Sequence, residues 1–354
     1  MTKENSCILS IYIATFNRRD TILKKVKRLL SIPSTGFDVW ILDDCSDDGT
    51  YEALRTITDD RLHLLRNKIR QGPLEDGVMP NWFKLAESCD GQFCFHLNDR
   101  DHISLDGLQR LIQFLKKNPN LKGGVCNLRK GYKIYSSNKA FEKIPYAASH
   151  PTGIVFNVDA FHKIKNRDLF YAKRMCYIHP HDLVLSRLCT MGAMFTFEKI
   201  WQLADQQSFK KNKSFLYNKG NIRTVWFSPD EKFKEYNLFL KDLDKISYPD
   251  KLKRKKIYRM SEQYLFYSTI DYDNFLKDPG QMAHYGLEVQ KGLSFVDQNR
   301  EKKQFIKKSL DVLMNKEKVI INPFWYKLRM NSYFYSRYFL RPIWCKFKEL
   351  LLRL

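Results

Sequence analysis

Phe93-Cys-Phe-His-Leu-Asn-Asp-Arg-Asp101 is a short apolar run that ends in a dense polar cluster. Asp99 and Asp101, two positions apart, can converge on one hard cation, because oxygen ligands suit Mg²⁺ or Mn²⁺. Arg100 between them adds a fixed positive charge matched to phosphate oxygens. At the end of a buried strand such a cluster can hold a nucleoside diphosphate. For Asp-x-Asp alone, the ordinary alternative is a solvated turn. Two earlier segments carry similar chemistry. Ala14-Thr-Phe-Asn-Arg-Arg-Asp20 and Asp43-Asp-Cys-Ser-Asp-Asp-Gly-Thr50 each follow an apolar run directly.

The elements that must position these clusters alternate. Cys7 to Ile13 is nearly continuous in apolar, β-branched and aromatic residues and reads as a buried strand. A basic helix is expected from about Thr21 to Leu30. Phe37 to Leu42 reads as a second strand, Leu62 to Leu65 as a third, and Phe93 to Leu97 as a fourth. Helices are expected from near Thr50, capped from Ser46 to Asp48, and over Val78 to Ser88. Leu105, Leu108, Leu111, Ile112 and Leu115 give a helical period. Strands alternating with helices predict right-handed βαβ units and a mostly parallel sheet with helices on both faces. In such a sheet the ligand sits outside the carboxyl ends of the strands. Three strands here end in polar chemistry, at Thr15 to Arg18, Asp43 to Asp48 and Asn98 to Asp101. The first strand-to-helix turn lacks glycine and no P-loop appears, which argues against a dinucleotide-binding dehydrogenase or a P-loop NTPase.

Ile11-Tyr-Ile-Ala-Thr-Phe-Asn-Arg18, Ile41-Leu-Asp-Asp-Cys-Ser-Asp-Asp-Gly-Thr50 and Leu97-Asn-Asp-Arg-Asp101 resemble, in order and spacing, the signature blocks of family 2 glycosyltransferases of the GT-A fold. The likeness covers the first hundred or so residues and continues more weakly to about residue 205. It implies a Rossmann-like α/β catalytic domain. In that family the first block, here Thr15, Phe16, Asn17 and Arg18, lines the nucleotide pocket. A carboxylate matching Asp44 or Asp43 bonds the base. Asp99 would face ribose or metal, and Asp101 would be the main metal ligand. The family often has an acidic or small residue where Arg100 stands, and an arginine can replace part of a metal's charge. Arg70, in a stretch resembling the family's linker, would touch phosphate.

The reaction so implied is displacement at the anomeric carbon of a nucleotide sugar, most simply a UDP-sugar, with inversion. It needs positive charge on the departing diphosphate, from Mn²⁺ or Mg²⁺ with Arg18, Arg70 or Arg100. It also needs a carboxylate to take the acceptor proton. Tyr177-Ile-His-Pro-His-Asp-Leu places His181 and Asp182 at the start of an apolar-periodic segment. The pair is similar to the one that opens a helix in this family, where the Asp is the base. That makes Asp182 the candidate base, with a simple helix cap as the alternative. His179 and His181 are candidates for a metal ligand or an acceptor contact. In Ser149-His-Pro-Thr-Gly-Ile-Val-Phe156, His150, Thr152 and Gly153 form a rigid turn into a short strand. In related enzymes a loop at this point lies beside donor sugar and acceptor.

The chain has 354 residues, 44% of them apolar, enough for one catalytic domain and an extension. The expected division is a catalytic domain over 1–205, a lysine-rich linker over 206–230, and a basic, aromatic-rich helical extension over 231–354. Eight cysteines show no Cys-x-x-Cys spacing and read as reduced thiols of a cytosolic protein. Neither a signal peptide nor a membrane-spanning stretch is expected. From Ile321 to Leu354, aromatics and leucines mix with Lys and Arg. With a net charge of +22, this predicts peripheral attachment to an anionic membrane surface, at the inner face of a bacterial plasma membrane. A packed helical domain or a homo-oligomer interface is the competing use. The expected acceptor is a lipid-linked or growing surface glycan, reached by single or limited transfer, because the Gln-x-x-Arg-Trp block of processive synthases is absent. The alternatives are a basic nucleic-acid-binding protein, a nucleotidyltransferase, or a scaffold that has lost catalysis. No recognisable nucleic-acid module and no glycine-rich basic loop supports the first two.

Overall fold

The computed structural model describes residues 7–33, 36–71, 80–146, 150–165, 180–203, 228–284, 291–314 and 322–344. The chain divides into two compact units, Met1–Lys211 and Asn212–Leu354.

The first unit is built on an eight-stranded sheet of order β3-β2-β1-β4-β8-β6-β9-β7. Strands β1 (Leu9–Thr15), β2 (Phe37–Asp43), β3 (Leu62–Arg66) and β4 (Phe93–His96) are mutually parallel. Strand β8 (Ile154–Asn157) runs antiparallel between β4 and β6 (Gly123–Leu128). Beyond them, β9 (Met194–Glu198) is parallel to β6, and β7 (Tyr132–Tyr135) is an antiparallel edge strand. A two-stranded ribbon joins β5 (His102–Ile103) to β10 (Trp201–Gln202). The result is the expected mostly parallel α/β sheet.

Continuous apolar strands follow from burial on both faces. Leu9, Ile11 and Ile13 of β1 share a core with Val39 and Ile41 of β2 and with Phe93 and Phe95 of β4. Helix α1 (Arg19–Leu30) covers that core with Ile22, Val26 and Leu29, spaced to fall on one helical face. Helix α4 (Leu105–Lys117) does the same with Leu108, Leu111, Ile112 and Leu115. Its N-cap Ser104 accepts from the Gly107 amide at 3.2 Å. Helix α2 (Thr50–Arg55) has Gly49 at its N-cap, at φ +79°, while Asp48 accepts from the Thr50 amide at 3.0 Å. Helix α3 is Pro80–Ser88, and α5 (Ser137–Lys143), α6 (Val158–His162) and α7 (Pro180–Met191) complete the unit.

The second unit is helical, as expected. It contains α8 (Pro229–Asp244), α9 (Asp250–Leu276), α10 (Pro279–His284), α11 (Phe295–Met314) and α12 (Pro323–Phe334). Helix α12 runs on through a π-helical turn, Tyr335–Leu340. Of the expected linker, 206–227 lies outside the described residues, and Ser228 to Asp230 already cap and open α8. Tyr326, Met330 and Phe334 turn one face of α12 inward, among a core that includes Tyr236, Tyr264 and Phe305. No helix among the described residues is long and apolar enough to cross a membrane.

Candidate active site

The carboxyl ends of β1, β2 and β4 stand side by side, and their polar residues interlock. The Asp44 amide donates to the Thr15 carbonyl at 2.9 Å, continuing the β1–β2 ladder into the loops. Asn17, in the left-handed region at φ +49°, donates its backbone N–H to Ser46 Oγ at 2.9 Å. Its side chain exchanges two bonds with Asp47, at 2.8 Å and 3.0 Å. Arg18 Nε lies 2.6 Å from Asp99 Oδ2, and Thr15 Oγ1 donates to the same oxygen at 3.4 Å. All three loops are therefore tied together through residues expected to bind a nucleotide.

The two β2 carboxylates have different surroundings. Asp43 is fully buried; its Oδ2 accepts from the Ser46 amide at 3.1 Å and lies 3.3 Å from Arg66 Nε. Asp44 Oδ1 accepts from Asn67 Nδ2 at 2.7 Å and from the Gln71 backbone at 2.8 Å. Those bonds hold the 67–71 loop against the site and bring Arg70 over the Phe16 ring, 3.9 Å from its centroid. A cation seated on an aromatic face makes a flat rim suited to a stacked base or a phosphate.

Burial pushes the Asp99 carboxyl up, against the opposing pull of Arg18, Arg100 and Lys25. Lys25 reaches over from α1 to donate to the Asp101 carbonyl. Burial brings its ammonium down to about 8, opposed by Asp99 and Asp101. The sequence reading missed Lys25, which is one lysine among several in a basic helix.

Asp101 is ordered by the turn before β8. Its Oδ2 accepts from Thr152 Oγ1, from Asn98 Nδ2 at 3.3 Å, and faces His150 Nε2 at 3.5 Å. Thr152 Oγ1 in turn accepts from the Asn98 amide at 3.0 Å. His150 Nδ1 accepts from the Thr152 amide at 3.2 Å, which places the imidazole proton on Nε2, facing the carboxylate. Beneath the turn, His96 bonds the Pro151 carbonyl, and burial lowers its imidazole to about 4, so it stays neutral. His150, Thr152 and Gly153 were expected beside donor sugar and acceptor; within the described residues His150 and Thr152 contact Asp101, while Gly153 donates to the His96 carbonyl and accepts from the Cys126 amide.

Gly153 sits at φ +93°, where a Cβ would lie 2.3 Å from Trp201 Nε1. Gly153→Ala is therefore expected to lower stability by about 2–4 kcal/mol, from left-handed strain plus overpacking. Chemical denaturation of the full chain checks this; an unchanged first transition would contradict it.

His181 and Asp182 are both buried in the first turn of α7, which packs against α5, α6, β6 and β8. The described residues contain no cluster of three or more His, Cys, Asp or Glu side chains able to hold a metal. The structure thus does not gather His181 with Asp99 and Asp101. Asp99 and Asp101 each carry hard carboxylate oxygens of the kind that suit Mg²⁺ or Mn²⁺; here Asp99 Oδ2 is engaged by Arg18 and Asp101 Oδ2 by Thr152. His179 lies outside the described residues.

A family model described as glycosyl transferase family 2 matches residues 10–200. An Escherichia coli protein named UDP-Glc:alpha-D-GlcNAc-diphosphoundecaprenol beta-1,3-glucosyltransferase WfaP is 28% identical over 109 residues, 31% of this chain and 41% of that one. An uncharacterized glycosyltransferase of Haemophilus influenzae is 25% identical over 118 residues, 32% of this chain and 36% of that one. The chain thus matches well under two thirds of the length of these curated relatives. Among solved structures, S. aureus TarS 1-349 in complex with UDP-GlcNAc aligns with TM-score 0.55 at 11% identity, covering 92% of this chain and 89% of that one. The complex of the same protein with UDP gives TM-score 0.53 at 12% identity, with the same coverage. At such identity the likeness shows the fold.

Proposed function

Because the chain belongs to glycosyl transferase family 2, we propose that it moves a sugar from a UDP-sugar to a hydroxyl of a lipid-linked or growing surface glycan, with inversion at the anomeric carbon. The observation that carries this reading is the convergence of three parallel strand ends into one linked polar network, joined at Asp44, Asn17, Arg18 and Asp99. Asp44 and the Arg70–Phe16 rim receive the base, with Thr15 and Asn17 shaping the pocket floor. Asp99, kept close to Arg18, faces the ribose. A divalent cation held by Asp99 and Asp101 would supply Lewis-acid charge to the diphosphate.

The chain's own cations, Arg18, Lys25 and Arg100, add to the charge that stabilises the departing diphosphate. As the bond from the acceptor oxygen to the anomeric carbon forms, the bond from that carbon to the phosphate oxygen breaks. The acceptor proton passes to Asp182. The UDP donor is supported by the names of the E. coli relative and of the TarS complexes, and the lipid-linked acceptor by the former. The test is UDP release and product mass with UDP-Glc or UDP-GlcNAc, with and without a polyprenyl-diphosphate-linked saccharide. Acceptor-dependent release supports the reading; no release with any UDP-sugar and acceptor pair counts against it.

The second unit supports an anionic membrane surface as partner. Phe324, Trp325, Leu328, Phe339, Leu340, Ile343 and Trp344 are exposed, and so are Lys327, Arg337 and Arg341. Aromatics at the headgroup level with Lys and Arg against anionic lipid is the usual pattern of interfacial helices. The expected segment 345–354 lies outside the described residues. Replacing Trp325 and Leu328 together by Asp is expected to weaken binding to phosphatidylglycerol vesicles by about tenfold or more, from lost apolar burial and added repulsion. Vesicle co-sedimentation checks this; unchanged binding would favour an oligomer or packing role for the same side chains.

A further inference from the structure

Trp201 has no part in the reading above, yet the turn that orders Asp101 is built against it. It opens β10, which pairs antiparallel with β5, so its backbone sits opposite Ile103, two residues past Asp101. Its indole N–H donates to the Cys126 carbonyl at 2.9 Å, which fixes the ring plane from the body of the sheet. On that plane lies the His150 imidazole, with centroids 4.8 Å apart and rings inclined by 23°. The Lys199 ammonium lies 4.1 Å from the centre of the same indole. Trp201 is 7% exposed, so this is a firm platform rather than a mobile surface ring. Gly153 has no side chain where one would strike the indole nitrogen, and so the turn can close onto the platform.

The links run in one direction. The Cys126 carbonyl holds the indole, the indole holds the imidazole flat, and the Thr152 amide sets which ring nitrogen carries the proton. The remaining nitrogen, Nε2, then points at Asp101 Oδ2. Rotation of the imidazole would break the bond to the Thr152 amide and withdraw the N–H from the carboxylate.

We infer that Trp201 is a positioning residue for Asp101, acting through His150. By fixing the imidazole it fixes the orientation of the carboxylate that would help hold a divalent cation beside the donor's diphosphate. This inference rests on the proposed role of Asp101, and it makes Trp201 the outer support of that ligand. Outer supports of this kind typically contribute tenfold or more to affinity. A tryptophan that served only as core would instead affect stability and leave the imidazole and the nucleotide unaffected.

The test uses the full chain and three measurements. These are the affinity for UDP with and without Mn²⁺, the His150 tautomer by nitrogen–proton correlation spectra without ligand, and the melting temperature. Trp201→Leu is expected to weaken Mn²⁺-dependent UDP binding about tenfold and to mix the two His150 tautomers. Trp201→Phe keeps a ring under the imidazole and should recover most of the affinity. His150→Phe keeps a ring on the platform but removes both nitrogens. It should lose as much affinity as Trp201→Leu at an unchanged melting temperature. The double variant should be no weaker than the weaker single one, since both act through one bond.

Wild-type affinity and a single tautomer in Trp201→Leu would overturn the inference, and so would additive losses. Should Trp201→Leu fail to fold, wild-type affinity in His150→Phe overturns it equally. Absence of Mn²⁺-dependent UDP binding in the unaltered protein would instead refute the role of Asp101. In that case the tautomer without ligand still decides whether Trp201 orients His150.

Discussion

Asp182→Asn is expected to slow sugar transfer by about 10³-fold, within the usual range for losing a general base. Nucleotide affinity should be nearly unchanged. The substitution keeps the size of the side chain and removes only its ability to take a proton, so the first turn of α7 has no steric reason to move. Asp182 is fully buried there, in the layer that packs on β8, the strand that begins where the His150–Gly153 turn ends. If Asp182 only capped the helix, the variant would retain transfer, because an asparagine caps as well as an aspartate. The decisive comparison is kcat against UDP affinity on one preparation. Transfer at the wild-type rate would remove Asp182 from the mechanism.

Asp101→Asn is expected to weaken Mn²⁺-dependent UDP binding by about 100-fold or more, at least the upper range for losing a residue that merely orients a metal ligand. The amide oxygen can still accept from Thr152, and so the turn before β8 should stay closed. What is lost is negative charge at the place proposed to hold a cation. Arg18, Lys25 and Arg100 would then face the diphosphate without it, which predicts that the metal-independent part of UDP affinity survives. Calorimetric titration with Mn²⁺, and again with a chelator, separates the two parts. Equal affinity in both conditions for the unaltered chain would show that its own cations carry the diphosphate and that the Asp pair holds no metal.

The parallel half of the sheet was legible because its chemistry is local. Strands β1, β2 and β4 are buried on both faces, so each reads as a nearly continuous apolar run, broken only by Ser10 in β1 and Asp38 in β2, that stops at a polar cluster. Helix α4 was legible from its periodic apolar positions and begins at the first of them, Leu105, after the Ser104 cap; helix α1, read as a basic helix from about Thr21, begins two residues earlier at Arg19. Strands β6, β7, β9 and β10 were not foreseen. Strand β6 opens on Gly123 and Gly124, which are poor strand formers, and β7 is a four-residue edge strand that is largely exposed. Strand β9 lies between them through contacts far apart in sequence, and no local pattern encodes that.

The site divides in the same way. Asp44, Asp99 and Asp101 stand at strand ends, where residue type and position both point to a ligand. Lys25 sits in a basic helix and Trp201 in a two-residue strand, neither distinctive in sequence, and only the fold brings Lys25 to the Asp101 carbonyl and Trp201 to the His150 ring. The pairing of His150 with Asp101 is a further case. The turn residues His150 and Thr152 were singled out for the donor sugar, and their polar contacts include Asp101.

The most direct test of the central claim is a thermal-shift panel of UDP, GDP, CDP and dTDP, each with and without Mn²⁺, because a ligand that binds only the native state raises its melting temperature. The account predicts a shift with UDP that grows with Mn²⁺ and shrinks in Asp101→Asn. No shift with any of the four nucleotides, alongside binding of RNA or DNA to the basic surface, would contradict it.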